Sequence, residues 1–186
     1  MTIVFAISGV FGSGKSSVAN LACRGIDDLD SAIPYTSRAR HAGDSRDNEF
    51  FFTSREVFER MIAREEFLEY VSISGNYYGT PRHYLERAQE NGRDLLIQVD
   101  NCGVAQLKQK ISGVVSVLVL PGQLARDTRI SGSAIDPRAS SLLQEASLPS
   151  QMPNYDMYDH VIVDDRLEDS ASRLIEIIRS ERSRRS

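Results

Sequence analysis

Short runs of consecutive apolar residues, rich in β-branched types, alternate along the chain with segments whose apolar positions recur every three or four residues. Ile3-Val4-Phe5-Ala6-Ile7, Leu95-Leu96-Ile97-Gln98-Val99, Val114-Val115-Ser116-Val117-Leu118-Val119-Leu120 and His160-Val161-Ile162-Val163 have the length and continuity of strands buried on both faces. Residues 17–23, with Val18, Leu21 and Ala22 on one face, and residues 81–90, 103–110 and 167–181 carry helical periodicity. Strand–helix alternation predicts an α/β fold with one parallel sheet between two layers of helices. Such sheets bind ligands beyond the carboxyl ends of their strands.

Two segments break the alternation. Residues 31–80 are dense in charge and aromatics and predict short strands plus a helix over 55–64, a small α+β insertion. Residues 126–141 hold three arginines with Gly132 and Pro137 and predict a mobile loop. Asp136-Pro137 would then cap and open a helix running to about Ala146. The arginine-rich end from Arg179 predicts a fraying helix or a disordered tail. No repeat or linker divides the chain, which predicts a single domain: core 1–30, 81–125 and 142–186, insertion 31–80, lid 126–141.

The turn after the first strand carries the chemistry. Gly9-Val10-Phe11-Gly12-Ser13-Gly14-Lys15-Ser16 fits G-x-x-x-x-G-K-[ST] at every fixed position, between a strand and a helix as the pattern requires. Glycines let the backbone curl so that N–H groups, including those near Ser17, converge on a phosphate group. Lys15 would reach the outer phosphates, and the Ser16 hydroxyl would ligate Mg²⁺. Lys15 is the only lysine in the first hundred residues, in a chain that otherwise uses arginine.

Composition narrows the ligand. With a formal net charge of −4, the protein has no global basic field for nucleic acid or an anionic membrane. Positive charge is local, at Arg38, Arg40 and His41 and again at Arg126, Arg129 and Arg138, which suits a small anion. Cys23 and Cys102 lack metal-ligand spacing and read as reduced thiols. The start has neither the basic residues of a signal peptide nor the length of a membrane span, so a cytoplasmic location is expected.

Beyond the phosphate loop, an ordered series of short motifs covers nearly the whole chain: Thr36-Ser37-Arg38, Gly43-Asp44, Phe50-Phe51-Phe52, Phe67-Leu68-Glu69-Tyr70, Gly75-Asn76-Tyr77-Tyr78-Gly79-Thr80, Asp94 to Asp100, Gly103-Val104-Ala105-Gln106 and Asp159 to Asp165. In order and spacing the chain resembles the guanylate kinase family. The resemblance implies a three-layer P-loop fold with a five-stranded parallel sheet, a nucleoside-monophosphate-binding insertion and an arginine-bearing lid. It implies transfer of the γ-phosphoryl of ATP to GMP or dGMP with Mg²⁺, so the expected partners are these nucleotides, with a homodimer left open.

By position, the resemblance implies that Arg38, Tyr78 and the neighbouring His41, Asp44 and Phe50 lie at the acceptor phosphate. It implies that Glu69 and Thr80 hold guanine, that Asp100 faces the nucleotide or the Mg²⁺ hydration shell, and that Lys15, Arg126, Arg129 and Arg138 stabilise the transferring group. A carboxylate suits guanine because it accepts from N1–H and the 2-amino group, which adenine lacks. From its own pattern, Glu69 could instead be the solvent-facing residue of an alternating strand, and Asp100 could cap the helix that follows. One of Tyr77 and Tyr78 is expected to be a packing aromatic.

Departures from the family cluster on the acceptor side. His41 stands at a usual arginine, Phe50 at a usual tyrosine, Pro34-Tyr35 near a usual serine, and Gln98 at the first carboxylate of a usual Asp-x-Asp. These leave room for a different acceptor, such as a modified purine monophosphate or a ribose phosphate. A non-catalytic protein-binding module is the third alternative, disfavoured by the retained Lys15 and Ser16.

Overall fold

The structure is a computed structural model that describes residues 2–9, 13–40, 50–121, 155–164 and 166–185. Among these, five strands form a parallel sheet: β1 (Val4–Ser8), β2 (Leu29–Ser31), β7 (Asp94–Gln98), β8 (Val115–Pro121) and β9 (His160–Asp164), in the order β2-β7-β1-β8-β9. Four of the five are the apolar runs of the sequence. The fifth, β2, is three residues long and polar at Asp30 and Ser31, so it carries no hydrophobic signature. It earns its place by pairing, with Leu29 opposite Asp94 and Ser31 opposite Leu96.

The apolar runs of β1, β7 and β8 follow from burial on both faces, whereas β9, at the edge of the sheet, buries Ile162 and leaves Val161 and Val163 exposed, so it is not covered on both faces as its sequence suggests. Phe5 and Ile7 of β1, Leu96 of β7 and Val115, Val117 and Val119 of β8 point to one side. There they meet Val18, Ala19 and Ala22 of α1 (Lys15–Gly25) and Leu174 and Ile178 of α5 (Leu167–Arg185). Val4, Ala6, Leu95, Ile97, Leu118 and Leu120 point to the other side, against Ala88 of α3 (His83–Glu90) and Val104 and Leu107 of α4 (Asn101–Lys110). Fully buried side chains of this size contribute about 1.5–3 kcal/mol each from desolvation, so the two clusters fix the register of the sheet.

The edge away from the carboxyl ends is pinned by ions. Asp94 Oδ1 accepts the Ile3 N–H at 2.8 Å, and Oδ2 accepts from Arg182 Nε at 2.7 Å. Arg182 also donates to the carbonyls of Asp27 and Asp28, and Arg185 donates to the Gly113 carbonyl at 2.8 Å. The arginine-rich end is therefore ordered helix through Arg185 rather than a frayed tail, because its guanidinium groups reach back to the sheet. A smaller correction concerns Pro81, which ends a strand instead of opening α3.

The insertion is a four-stranded sheet, β4 (Phe51–Phe52), β3 (Tyr35–Thr36), β6 (Asn76–Pro81) and β5 (Phe67–Ile73) in that order, with α2 (Arg55–Ala63) packed on it. Ser54 caps α2 by accepting the Val57 N–H at 3.2 Å. Phe58, fully buried, is stacked between Phe67 at 4.3 Å and Tyr77 at 5.3 Å. Tyr77 is thus the packing aromatic of its pair. The expected lid over 126–141 and the helix from Asp136 lie outside the described residues. No helix among the described residues is long and apolar enough to cross a membrane.

Candidate active site

At the carboxyl end of β1 the chain leaves the sheet at Gly9, where a Cβ would lie 2.5 Å from the Val119 carbonyl oxygen and 2.6 Å from Ser13 Oγ. Only glycine passes there. Gly14, at φ +77°, occupies the left-handed region that glycine adopts without strain. It opens α1, which has no side-chain cap, in contrast to α2. The N–H groups of its first turn are therefore left for an external acceptor, and the helix dipole favours an anion. Lys15 and Ser16 are the first two residues of that turn. Val10, Phe11 and Gly12 lie outside the described residues.

One strand over, β7 ends at Gln98, which pairs with Ile7, so Asp100 emerges beside Gly9. Asp100 caps α4: its Oδ1 accepts the Gly103 N–H at 2.8 Å. Burial holds its carboxyl above the usual range, while the Gly103 hydrogen bond and the charge of Lys15 pull it back. The phosphate-loop lysine and this carboxylate are therefore close enough to interact. The cap reading of Asp100 holds, and it uses only one oxygen.

Glu69 is 4% exposed, which overturns its reading as the solvent-facing residue of an alternating strand. The reason is a bulge in β5: Phe67 faces Pro81 but Glu69 faces Thr80, so Leu68 is an extra residue and the period-two pattern breaks there. Burial raises the Glu69 carboxyl to about 7, and the neighbouring Asp100 adds to the rise; polar contact with Thr80 and the charge of Lys110 act the other way. Thr80, fully buried, lies directly across the strand pair.

Arg38 sits at the rim of the insertion. Its backbone N–H donates to Thr36 Oγ1 at 3.1 Å, and its guanidinium donates to the Ala39 carbonyl at 2.9 Å. The guanidinium carbon lies 5.3 Å from the Phe52 ring centre and 6.0 Å from that of Phe50, and Tyr78 packs edge-on to Phe50 at 5.8 Å. Arg40 lies over the same Phe52 ring at 4.4 Å. Arg40 belongs to the positive cluster read from the sequence, but Phe52 as a ring shared by both cations is not singled out there. Alternation within Phe50-Phe51-Phe52 could have flagged it, since it puts Phe50 and Phe52 on one face and leaves Phe51 exposed on the other. His41, Asp44, Arg126, Arg129 and Arg138 lie outside the described residues.

Among the described residues, three buried side-chain oxygens make no well-formed hydrogen bond: Ser13 Oγ, Thr80 Oγ1, which lies near the Glu69 carboxylate without closing a bond to it, and Asp100 Oδ2. All three belong to this site. Buried polar atoms are otherwise paired, so orphans gathered in one place mark where a polar ligand completes the bonding.

A strand, phosphate loop and helix on a parallel sheet, facing an acceptor-side insertion with a buried carboxylate, define a P-loop kinase that acts on nucleoside monophosphates. The guanylate kinase family model matches residues 2–181. The chain is 34% identical to a guanylate kinase of Koribacter versatilis, over 98% of this chain and 80% of that protein, and 32% identical to that of Escherichia coli, over 98% and 90%. It is similar in structure to a guanylate kinase from Anaplasma phagocytophilum, with a TM-score of 0.75 at 25% identity, covering 97% of this chain and 86% of that one. The chain belongs to the guanylate kinase family.

Proposed function

We propose that this protein transfers the γ-phosphoryl group of ATP to GMP, giving ADP and GDP. The observation that carries the reading is the placement of the three orphaned oxygens, one beside the phosphate loop, one at the base-reading strand pair and one between them. Both substrates are polyanions, so the protein's part is to neutralise charge and align the two phosphates rather than to supply covalent chemistry. Lys15 and the first turn of α1 hold the donor phosphates. Arg38, braced on Phe52, grips the acceptor phosphate through its planar fork, with Tyr78 beside it. Ionised Glu69 accepts the guanine N1–H and 2-amino N–H, and Thr80 Oγ1 completes the base contacts. The arginines at 126, 129 and 138 serve the transferring group.

The oxygen donors present fit Mg²⁺. Ser16 offers a hydroxyl and Asp100 an unpartnered carboxylate oxygen that would act through a water. Among the described residues no group of three or more His, Cys, Asp or Glu could hold a metal, which suits an ion carried in largely by phosphate oxygens and water. When bound, Mg²⁺ offsets charge on the donor phosphates. The nucleotides are the partners this site is built for; no observation favours another acceptor or a non-catalytic module.

Steady-state rates with GMP and AMP test the reading. Glu69→Ala is expected to lower the ratio of kcat/KM for GMP over AMP by roughly 100-fold, the cost of losing two hydrogen bonds to a charged group. An unchanged ratio would remove Glu69 from base recognition.

A further inference from the structure

Helix α4 presents Gly103, Gln106 and Lys110 on one face, at the i, i+3, i+7 spacing that aligns side chains along a helix. All three meet β5, and they meet it around one residue. Lys110 Nζ donates to the Leu68 carbonyl at 2.8 Å. Gln106 pairs with Tyr70 twice: its Oε1 accepts the Tyr70 N–H at 3.2 Å, and its Nε2 donates to the Tyr70 carbonyl at 2.7 Å. The amide thus imitates a neighbouring strand. Between these anchors sits Glu69, whose Oε2 would be 3.0 Å from a Cβ placed on Gly103. Such a Cβ would also lie 2.8 Å from Val99 Cβ, so a side chain at 103 forces either the helix or the carboxylate to move.

We infer that this face of α4 is a positioning device for the base-reading carboxylate, and that Gln106 and Gly103 are specificity-determining residues of the guanine site. The physical need is plain. The bulge at Leu68 loosens the β5–β6 ladder where Glu69 must be held at a fixed angle. A bidentate contact to two N–H groups demands that angle, and a carboxylate free to rotate keeps one bond and loses the other. Gln106 and Lys110 fix the backbone on both sides of Glu69, and Gly103 leaves room for its carboxylate. Neither Gln106 nor Gly103 needs to touch the nucleotide, so both act through Glu69. The inference rests on the assignment of Glu69 to guanine.

The sensitive comparison is GMP against IMP, which keeps N1–H and lacks the 2-amino group. Gln106→Ala and Gly103→Ala are each expected to reduce the GMP over IMP ratio of kcat/KM roughly tenfold, about one hydrogen bond to a charged group. The KM for GMP should rise while kcat with saturating GMP and the KM for ATP stay near wild type. In a Glu69→Ala background neither change should reduce the ratio further, because residues acting through one group are not additive. If Glu69→Ala alone leaves the ratio unchanged, the base assignment fails. If Glu69→Ala lowers it but Gln106→Ala does not, or lowers it additively with Glu69→Ala, the positioning role is overturned. Should Gly103→Ala fail to fold, the Gln106 arm decides alone, since that side chain is half exposed and its loss leaves the core intact.

Discussion

Asp100 divides its carboxylate between two tasks: Oδ1 caps α4 through the Gly103 N–H at 2.8 Å, while Oδ2 is buried without a hydrogen-bond partner. One residue thereby ties the start of α4 to the nucleotide end of the sheet. The helix that carries the Glu69 supports is anchored by the residue proposed to face the phosphates.

The two tasks separate by mutation. Asp100→Asn keeps an oxygen that can cap, so the melting temperature should stay close to wild type while kcat falls by tenfold or more. Asp100→Ala should lose about 1 kcal/mol of stability in addition to activity. Thermal denaturation beside turnover distinguishes them; equal loss of stability in both variants would mean that the cap is not the structural role.

Glu69 gives the protein a pH dependence of defined sign. In the proposed function guanine needs the ionised form of a carboxyl that burial raises to about 7. The KM for GMP should therefore climb about tenfold per unit as pH falls below 7, and the climb should be shallower in Glu69→Gln, where only the substrate phosphate still titrates. The substrate phosphate titrates in both proteins, so parallel profiles would assign the whole effect to GMP and contradict the reading.

The same group affects folding without ligand. Its folded value lies above the ordinary carboxyl value of 4.5, so the folded state binds the proton more tightly than the unfolded chain. Stability from this source is complete below pH 4.5 and is lost as pH rises through 7, on the order of 3 kcal/mol. Denaturant titrations of wild type and Glu69→Gln at pH 5 and pH 8 should show that slope only in wild type. A wild-type slope equal to that of the variant would place the titration elsewhere.

Lys15→Ala should leave the fold unchanged, because the residue stands at a helix start outside both core clusters, and should reduce kcat by 100-fold or more. Near-normal turnover would contradict the donor-phosphate role. The opposite control lies at the other end of the sheet. Arg182→Ala strips Asp94 of its Nε–H donor and should cost about 1–3 kcal/mol in stability, with turnover per folded molecule unchanged.

The parts of this architecture visible in sequence are those with an unbroken physical signature. The strands β1, β7 and β8 announce themselves because both faces are buried, so their positions are mostly apolar, β9 by a short β-branched run of which only Ile162 is fully buried, and the phosphate loop by its glycines, Gly9 being compelled by close approach and Gly14 by its positive φ. The strand Leu29–Ser31 was invisible because edge pairing, rather than side-chain character, makes it a strand. Glu69 was ambiguous because a bulge shifts the alternation on which strand faces are read. The order of the last helix came from Arg182 reaching Asp94, a contact 88 residues apart that no local pattern encodes. Gln106 lies inside the motif Gly103-Val104-Ala105-Gln106, yet its bond to Tyr70 depends on how α4 meets β5 in space.

The central claim is phosphoryl transfer to a guanine monophosphate. It is met most directly by measuring ADP formation from ATP and Mg²⁺ with GMP, IMP, AMP and ribose 5-phosphate in turn. The account predicts that GMP supports turnover with the highest kcat/KM, ahead of IMP and at least roughly 100-fold ahead of AMP. No ADP formation with GMP, or a higher kcat/KM for ribose 5-phosphate, would contradict it.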